Sequence, residues 1–447
     1  MKLLIICSYF PPDTSIASIR PYMLAKYLNL HGHEVTVLYL GKNHRQPDDF
    51  LPKLKNVKIC TALLDSVDKS KPEIVLPEKD EQGEVNKPRF GFIPNKIRKI
   101  LKICYYSIID PNDTIKRIKK AQNQYLQQRN AIDILAENKY DVVFSTYSNL
   151  ENIFAGRYAA EKYRALWIQD FRDPVTEYNR KGSWFWNIIA RRIQMYAINK
   201  ADLVTSVSCG LTETLKKMNN KARIITVHNG YDPIEEPVEK KKDNEKVLTF
   251  CYTGQMYETR YAALDSLLSV LVQLIKQQKI EQKKIRFIYA GPESNGIREC
   301  FRKKGIEDIL LDYGYVSRDE VTKIQAYSDI YLVLSWNTRS NQGILTGKLY
   351  EGIRAHKPIL SVVTGEIPNS ELYQLNEKYH YGYCYESCRE NEMGKSFEEY
   401  ILNCYKQIQT SNHIAYQASD EWERDFSYDY IAKQLEDEIA KLMGNGC

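Results

Sequence analysis

Short apolar runs of strand length alternate with segments of helical period along the whole chain, and this alternation limits the fold more than any other feature. "KLLIICSYF" reads as a buried strand, "SIRPYMLAKYLNLHG" as a helix ending at Gly32, and "HEVTVLYL" as the next strand. A strand–helix–strand unit this early favours a parallel sheet, whose strands are covered on both faces and so are apolar throughout. "YDVVFSTY" (140–147), "RALWIQDF" (164–171), "ADLVTSVS" (201–208) and "ARIITVHNG" (222–230) continue the series. The charged, proline-bearing stretch 232–246 has no periodicity and predicts an interdomain linker. A second series follows: "VLTFCYTG" (247–254), "KIRFIYAG" (284–291), "DILLDYGYV" (308–316), "DIYLVLSW" (329–336) and "KPILSVV" (357–363). At 447 residues the chain is too long for one ordinary core. The expected class is α/β, with two Rossmann-like doubly wound domains, 1–234 and 245–414. The tail carries Ile431, Leu435, Ile439 and Leu442 at helical spacing, so residues 415–447 are expected to cross back onto the first domain.

Composition narrows the partners. With 43% hydrophobic and 27% charged residues the chain is globular rather than disordered, and no run of about 18 apolar residues marks a membrane span. The five-residue apolar run near the start ends at two prolines, unlike a signal peptide, so a cytoplasmic location is expected. Ten cysteines lie scattered, and the one close pair, Cys384 and Cys388, has no second pair to complete a zinc spacing. Free thiols and no bound metal are expected. A net charge of +6 leaves any basic function to local clusters, and nothing beside those clusters suggests nucleic acid.

The stretch "QGILTGKLYEGIRAHKPIL" (342–360) follows an apolar strand and looks like a phosphate site. It is not a P-loop. Gly343 and Gly347 are separated by three residues rather than four, and Leu349 stands where a magnesium-binding hydroxyl is needed. A helix starting near Gly343, Ile344, Leu345 and Thr346 still offers unpaired amides and a positive dipole end to an anion. Lys348 adds a charge for a diphosphate, and Glu351, on the same face, offers a carboxylate to two ribose hydroxyls. The alternative is a surface ion pair beside a loop of no function. Gly254, Gly291 and Val316 end neighbouring strands at the edge where open α/β sheets bind ligands, with Arg260 in the helix after Gly254. In the first domain the strand-end loops are 9–20, carrying Ser15 and Ile16, and 169–174, carrying Asp170, Arg172 and Asp173. The first lacks G-x-G-x-x-G, which argues against a dinucleotide dehydrogenase. The second is either functional or a structural Arg–Asp pair.

Taken in order, these segments resemble the retaining glycosyltransferases of GT-B fold in the large family four, above all the bacterial branch that builds surface polysaccharides such as capsule or O-antigen. The matching pieces include "SYFPPDTSIASIRPYMLAKYLNLHGHEVTVL", "INKADLVTSVSCGLTETL", "VHNGYD", "YTGQMYETR", "GKLYEGIRAHKPIL" and "DFSYDYIAKQL". The resemblance implies a site in the cleft between the domains and a UDP- or GDP-sugar donor. It also implies sugar transfer with retention at the anomeric carbon. Glu351 matches the second glutamate of an E-x7-E pattern, which holds the donor ribose, and Arg260 stands where a diphosphate-binding lysine is usual. Gln255 replaces a phosphate-binding arginine, and Gly343 stands where the first glutamate is expected. Lys348 fits the K-x-x-E version of the motif. No D-x-D triplet occurs to carry a metal, so Arg260, Lys348 and helix amides are expected to meet the leaving-group charge. Arg172 and Asp173 would orient acceptor or sugar.

Residues 96–120, "KIRKILKICYYSIIDPNDTIKRIKK", combine an apolar stripe with lysines and arginines. Such a helix suits a membrane interface, and a lipid-linked or oligosaccharide acceptor suits the enzyme class, placing the chain peripherally on the inner face of a plasma membrane. A domain helix with a solvated basic face is the other reading. Two further functions stay open: a sugar-nucleotide epimerase, for which only His228 among seven histidines holds a strand-end position, and a non-catalytic sugar-binding relative.

Overall fold

The computed structural model describes residues 1–12, 16–41, 54–62, 95–135, 139–175, 184–234 and 245–444, with backbone alone at 95–113, 184–185 and 318. Two parallel sheets organise it. The first carries β1 (Lys2–Cys7), β2 (Glu34–Tyr39), β3 (Lys58–Thr61), β4 (Val142–Tyr147), β5 (Leu166–Phe171), β6 (Leu203–Ser206) and β7 (Ile224–Thr226) in the order β3-β2-β1-β4-β5-β6-β7. The second carries β8 (Leu248–Thr253), β9 (Ile285–Ala290), β10 (Leu310–Asp312), β11 (Ile330–Trp336), β12 (Ile359–Thr364) and β13 (Gly382–Glu386) in the order β10-β9-β8-β11-β12-β13. All paired strands run parallel, and the central ones are buried along their length. In each sheet the strand order reverses once, between β1 and β4 and between β8 and β11. Such a reversal leaves a crevice at the carboxyl ends of the two strands, where this class of sheet receives ligands.

Helices cover both faces. On the first sheet, α1 (Ile19–Leu30) packs on one face, while α2 (Asn95–Ile134), α3 (Glu151–Tyr163), α4 (Trp184–Lys200) and α5 (Cys209–Lys216) cover the other. On the second sheet, α6 (Glu258–Lys276), α7 (Ser294–Lys304) and α11 (Glu390–Ser411) build one core, and α9 (Gly347–Arg354), α10 (Glu371–Tyr379) and α12 (Asp420–Asp425) the other. The short α8 (Arg318–Ala326) precedes β11. The last helix, α13 (Tyr428–Gly444), leaves the second domain and buries Ile431, Ala432, Leu435 and Ile439 beside α1 in the first-domain core. Residues 235–244 of the linker region lie outside the described residues. At its start the chain is held against the returning segment: the Tyr231 amide donates to the Phe426 carbonyl, and the Tyr428 amide to the Tyr231 carbonyl, each at 3.0 Å.

Two edge strands were not evident in the sequence. β3 is only four residues long and mostly exposed. β13 contains Cys384, buried in the sheet, whereas Cys388 lies exposed past its end. The close cysteine spacing therefore reflects a strand and its exit. Among the described residues no helix is long and apolar enough to cross a membrane. The side chains of residues 96–113, most of the basic stretch, lie outside the described set. The remainder of that stretch continues α2 with Ile115 and Ile118 exposed among Lys116, Lys119 and Lys120.

Candidate functional site

Helix α9 starts the site. Leu349, Tyr350, Gly352 and Ile353 face the sheet, and a Cβ at Gly352 would stand 2.7 Å from Ile359, so the helix lies close on β12. Lys348 and Glu351 share the opposite face, three residues apart. Thr346 takes the N-cap position in extended conformation, yet its hydroxyl caps nothing and is buried with no protein partner. The Leu349 amide donates to the Thr346 carbonyl at 3.1 Å, and the amides of such a helix start, at the positive end of its dipole, can meet an anion.

The second switch point brings the remaining parts to this helix. Gly254 directly follows β8, with φ +115°, and a Cβ there would stand 3.1 Å from Lys348 Cε. Glycine thus lets the lysine stem lie across the strand end. Lys348 Nζ reaches both oxygens of Glu351, at 2.8 and 3.1 Å. Glu351 Oε2 also accepts from Gln325 Nε2 at 2.7 Å and from the Tyr331 hydroxyl at 2.8 Å. Burial pushes the Glu351 carboxyl up, but the adjacent ammonium and the hydrogen bonds from Lys348 and Tyr331 outweigh it and hold it below the ordinary carboxylate value. It is therefore a fixed anion, with 27% of its side chain open to solvent. Gly291 donates its amide to the Gly314 carbonyl at 2.8 Å, and Tyr289 donates its hydroxyl to the Gly254 carbonyl at 3.2 Å. These contacts fix the rim formed by 254, 291 and the loop leading to Val316, which packs beside Ile324.

Arg260, in the first turn of α6, folds back over its own loop. Its Nη1 donates to the Gln255 carbonyl at 2.6 Å, its guanidinium lies 4.8 Å from the Tyr257 ring centre, and its Nε has no partner. Ile344 accepts from Ser335 Oγ through its carbonyl at 3.0 Å, and the Leu345 amide donates to the Gly343 carbonyl at 3.1 Å, which shapes the loop before α9.

The first domain meets this rim at two places. Ile16 is 68% exposed, and its Cδ1 lies 3.7 Å from where a Cβ at Gly347 would stand. Arg172 Nη1 donates to the Ala17 carbonyl at 2.7 Å, tying the end of β5 to the same turn. Asp173 is exposed beside it, and Ser15 lies outside the described residues. Asp170 follows the structural alternative. Its carboxylate is fully buried and accepts Nε and Nη2 of Arg20, at 3.0 and 2.8 Å, with Thr146 and Thr205 as further donors. Arg20 then reaches the His228 carbonyl at 2.8 Å and so holds the "VHNG" loop.

That loop belongs to the second meeting place, where Cys209, His228 and Glu371 bring ligand-type atoms within 4.8 Å of one another. Both Glu371 oxygens already accept amides, from Cys209 at 2.8 Å and Gly210 at 3.0 Å. Burial and the Glu371 charge keep the Cys209 thiol above its ordinary value, and burial draws the His228 imidazole below its own. The Glu371 carboxylate is thus engaged by the first two amides of α5. Gln325, Tyr331, Glu371 and Gly210 were not singled out in the sequence; each lies far along the chain from the residue it serves, and none stands in a distinctive local pattern.

No protein-family profile matches the chain, and no curated protein matches it in sequence. Solved structures do share its fold. Sucrose-phosphate synthase from Thermosynechococcus elongatus superposes with a TM-score of 0.59 at 10% identity, covering 100% of both chains. Anabaena HepE in complex with UDP and glucose gives 0.56 at 12% identity, covering 99% of this chain and 100% of that one. The lipopolysaccharide outer core galactosyltransferase WaaB, in its apo form, gives 0.55 at 12% identity, covering 99% of each chain. The architecture is that of GT-B: two Rossmann-like domains facing a cleft.

Proposed function

We propose that the chain is a glycosyltransferase that moves a sugar from a UDP- or GDP-sugar to a glycan acceptor. The observation that carries this reading is the grouping at the β8–β11 switch point: Lys348 against Gly254, Glu351 fixed as an anion, and the idle Thr346 hydroxyl at the start of α9. A nucleoside diphosphate has matching parts, with phosphates for Lys348 and the α9 amides, and a ribose for Glu351. Val316 and its loop would border the base. HepE, which shares the fold, was solved with UDP and glucose.

In the reaction, the bond from the sugar's anomeric carbon to the diphosphate oxygen breaks and its electron pair stays on the phosphate. Lys348, Arg260 swung from its Gln255 contact, and the α9 amides stabilise that charge, so no metal is required. The acceptor hydroxyl oxygen bonds to the anomeric carbon from the same face, giving retention, and passes its proton to the departing phosphate. Arg172, Asp173 and the turn at Ile16 would stand on the acceptor side. The acceptor we favour is lipid-linked, in surface polysaccharide synthesis at the inner face of a plasma membrane, with α2 on the lipid; the exposed Ile115 and Ile118 among lysines support this. Incubating the full chain with radiolabelled UDP- and GDP-sugars and a lipid-linked acceptor extract tests the reading. Label should move to the acceptor; epimerised donor, or binding without turnover, would contradict it.

A further inference from the structure

Position 343 lacks the carboxylate that its place in the motif leads one to expect, yet a carboxylate stands beside it. A Cβ on Gly343 would lie 2.8 Å from Glu371 Oε2, and equally 2.8 Å from the nitrogen and Cα of Gly210 in the first domain. The relation is mutual: a Cβ on Gly210 would lie 2.6 Å from the Gly343 nitrogen and 2.7 Å from its Cα. Two glycines therefore meet backbone to backbone across the cleft, and Gly343 adopts φ +71° in doing so.

Glu371 closes this contact. It opens α10 in the second domain, and its two oxygens accept the first amides of α5 in the first domain, Cys209 and Gly210. Those amides are among the donors that a helix start leaves unpaired, at the positive end of its dipole. Ser208 Oγ accepts the Leu211 amide at 3.2 Å, so the start of α5 draws its partners from both domains. The carboxylate is presented rigidly. Ser370 Oγ accepts the Tyr373 amide, and the buried Glu386 accepts the Asn369 and Ser370 amides at 2.9 and 2.7 Å.

We propose that Glu371 is a positioning residue that clasps the two domains in the closed arrangement, and that glycine at 210 and 343 is what this closure requires. A glutamate at 343 would fall on Gly210 and on the Glu371 carboxylate, so the chain carries its carboxylate on α10 instead. The clasp fixes the turn at Ile16 against Gly347, and with it the acceptor side against the donor rim. Its effect on catalysis rests on the glycosyl-transfer reading above; its effect on domain spacing does not.

The test uses the full chain labelled once in each domain for pulsed dipolar distance measurement, without nucleotide. The wild type should give one short distance. Glu371→Ala should lose that population by about tenfold or more, as two charge-assisted hydrogen bonds are removed. Glu371→Gln, which keeps one acceptor oxygen and the shape, should fall between, and Gly343→Ala should open the cleft with Glu371 intact. In parallel, Glu371→Ala should bind UDP within about twofold of wild type, since the donor groups lie in one domain, while transfer kcat falls about tenfold. A short distance retained in both Glu371→Ala and Gly343→Ala overturns the clasp. Opened distances with no turnover by the wild type on any nucleotide sugar would leave the clasp standing and remove the catalytic reading.

Discussion

Lys348 Nζ lies 2.8 Å from one oxygen of Glu351 and 3.1 Å from the other, so the cation and the anion of the candidate donor site hold each other in place before any ligand arrives. Tyr331 and Gln325 anchor the carboxylate from β11 and α8, which leaves Lys348 the partner that a diphosphate can draw away.

Removing either partner should therefore affect nucleotide binding more than folding. Glu351→Ala should weaken UDP binding by about tenfold, the equivalent of one or two lost ribose hydrogen bonds, and Lys348→Met by at least as much. Titration calorimetry with UDP, beside thermal unfolding of each variant, checks this. Unchanged affinity in both variants would remove the pair from the site.

The pair Arg20–Asp170 should behave in the opposite way. Arg20 is 2% exposed and Asp170 not at all, and Thr146 and Thr205 complete the carboxylate's partners. Arg20→Met leaves a buried charge without its counterion, at a cost of about 3–5 kcal/mol in denaturant unfolding. The double variant Arg20→Met, Asp170→Leu should cost less than the single one, because the stranded charge is gone too. An additive double variant would contradict the pairing.

The architecture was legible in the sequence because central parallel strands are covered on both faces and so are apolar throughout. "DVVFST" and "DIYLVLS" could be nothing but buried strands or short buried helices, and their spacing decided between the two. β3 is a four-residue, mostly exposed edge and carries no such run, and β13, "GYCYE", is a short edge strand with glycine and glutamate at its ends and no aliphatic run. Lys348, Glu351 and Gly254 were legible through strand–loop–helix chemistry. Glu371 and Gly210 were not, since their meaning lies in a contact between two domains more than 160 residues apart in the chain. Asp170 had two sequence readings, and only its partner Arg20, on α1, decides between them.

Docking of α13 should depend on pH through His31. Its Nε2 faces Asp429 at 2.8 Å and its Nδ1 faces Glu436 at 2.6 Å. Burial lowers its titration point, but hydrogen bonds to these two carboxylates, and their charge, more than offset that and raise it above the ordinary 6.5. The stabilisation is complete below 6.5 and is lost as pH rises through the folded value. His33, also beside Glu436, shifts downward through burial, so the comparison must isolate His31. The stability gap between wild type and His31→Gln should be larger at about pH 6 than at about pH 9 in urea unfolding. A gap that grows toward alkaline pH would contradict the assignment.

On the proposed function, the edge formed by Gly254, Thr346, Lys348 and Glu351 receives a nucleoside diphosphate sugar. A crystal structure of the full chain grown with UDP-glucose or GDP-mannose tests it most directly. Density for the diphosphate is expected between the α9 amides and Lys348, with the ribose hydroxyls on Glu351 and the sugar pointing toward Ile16 and Arg172. Nucleotide density elsewhere on the molecule, with this edge unchanged, would contradict it.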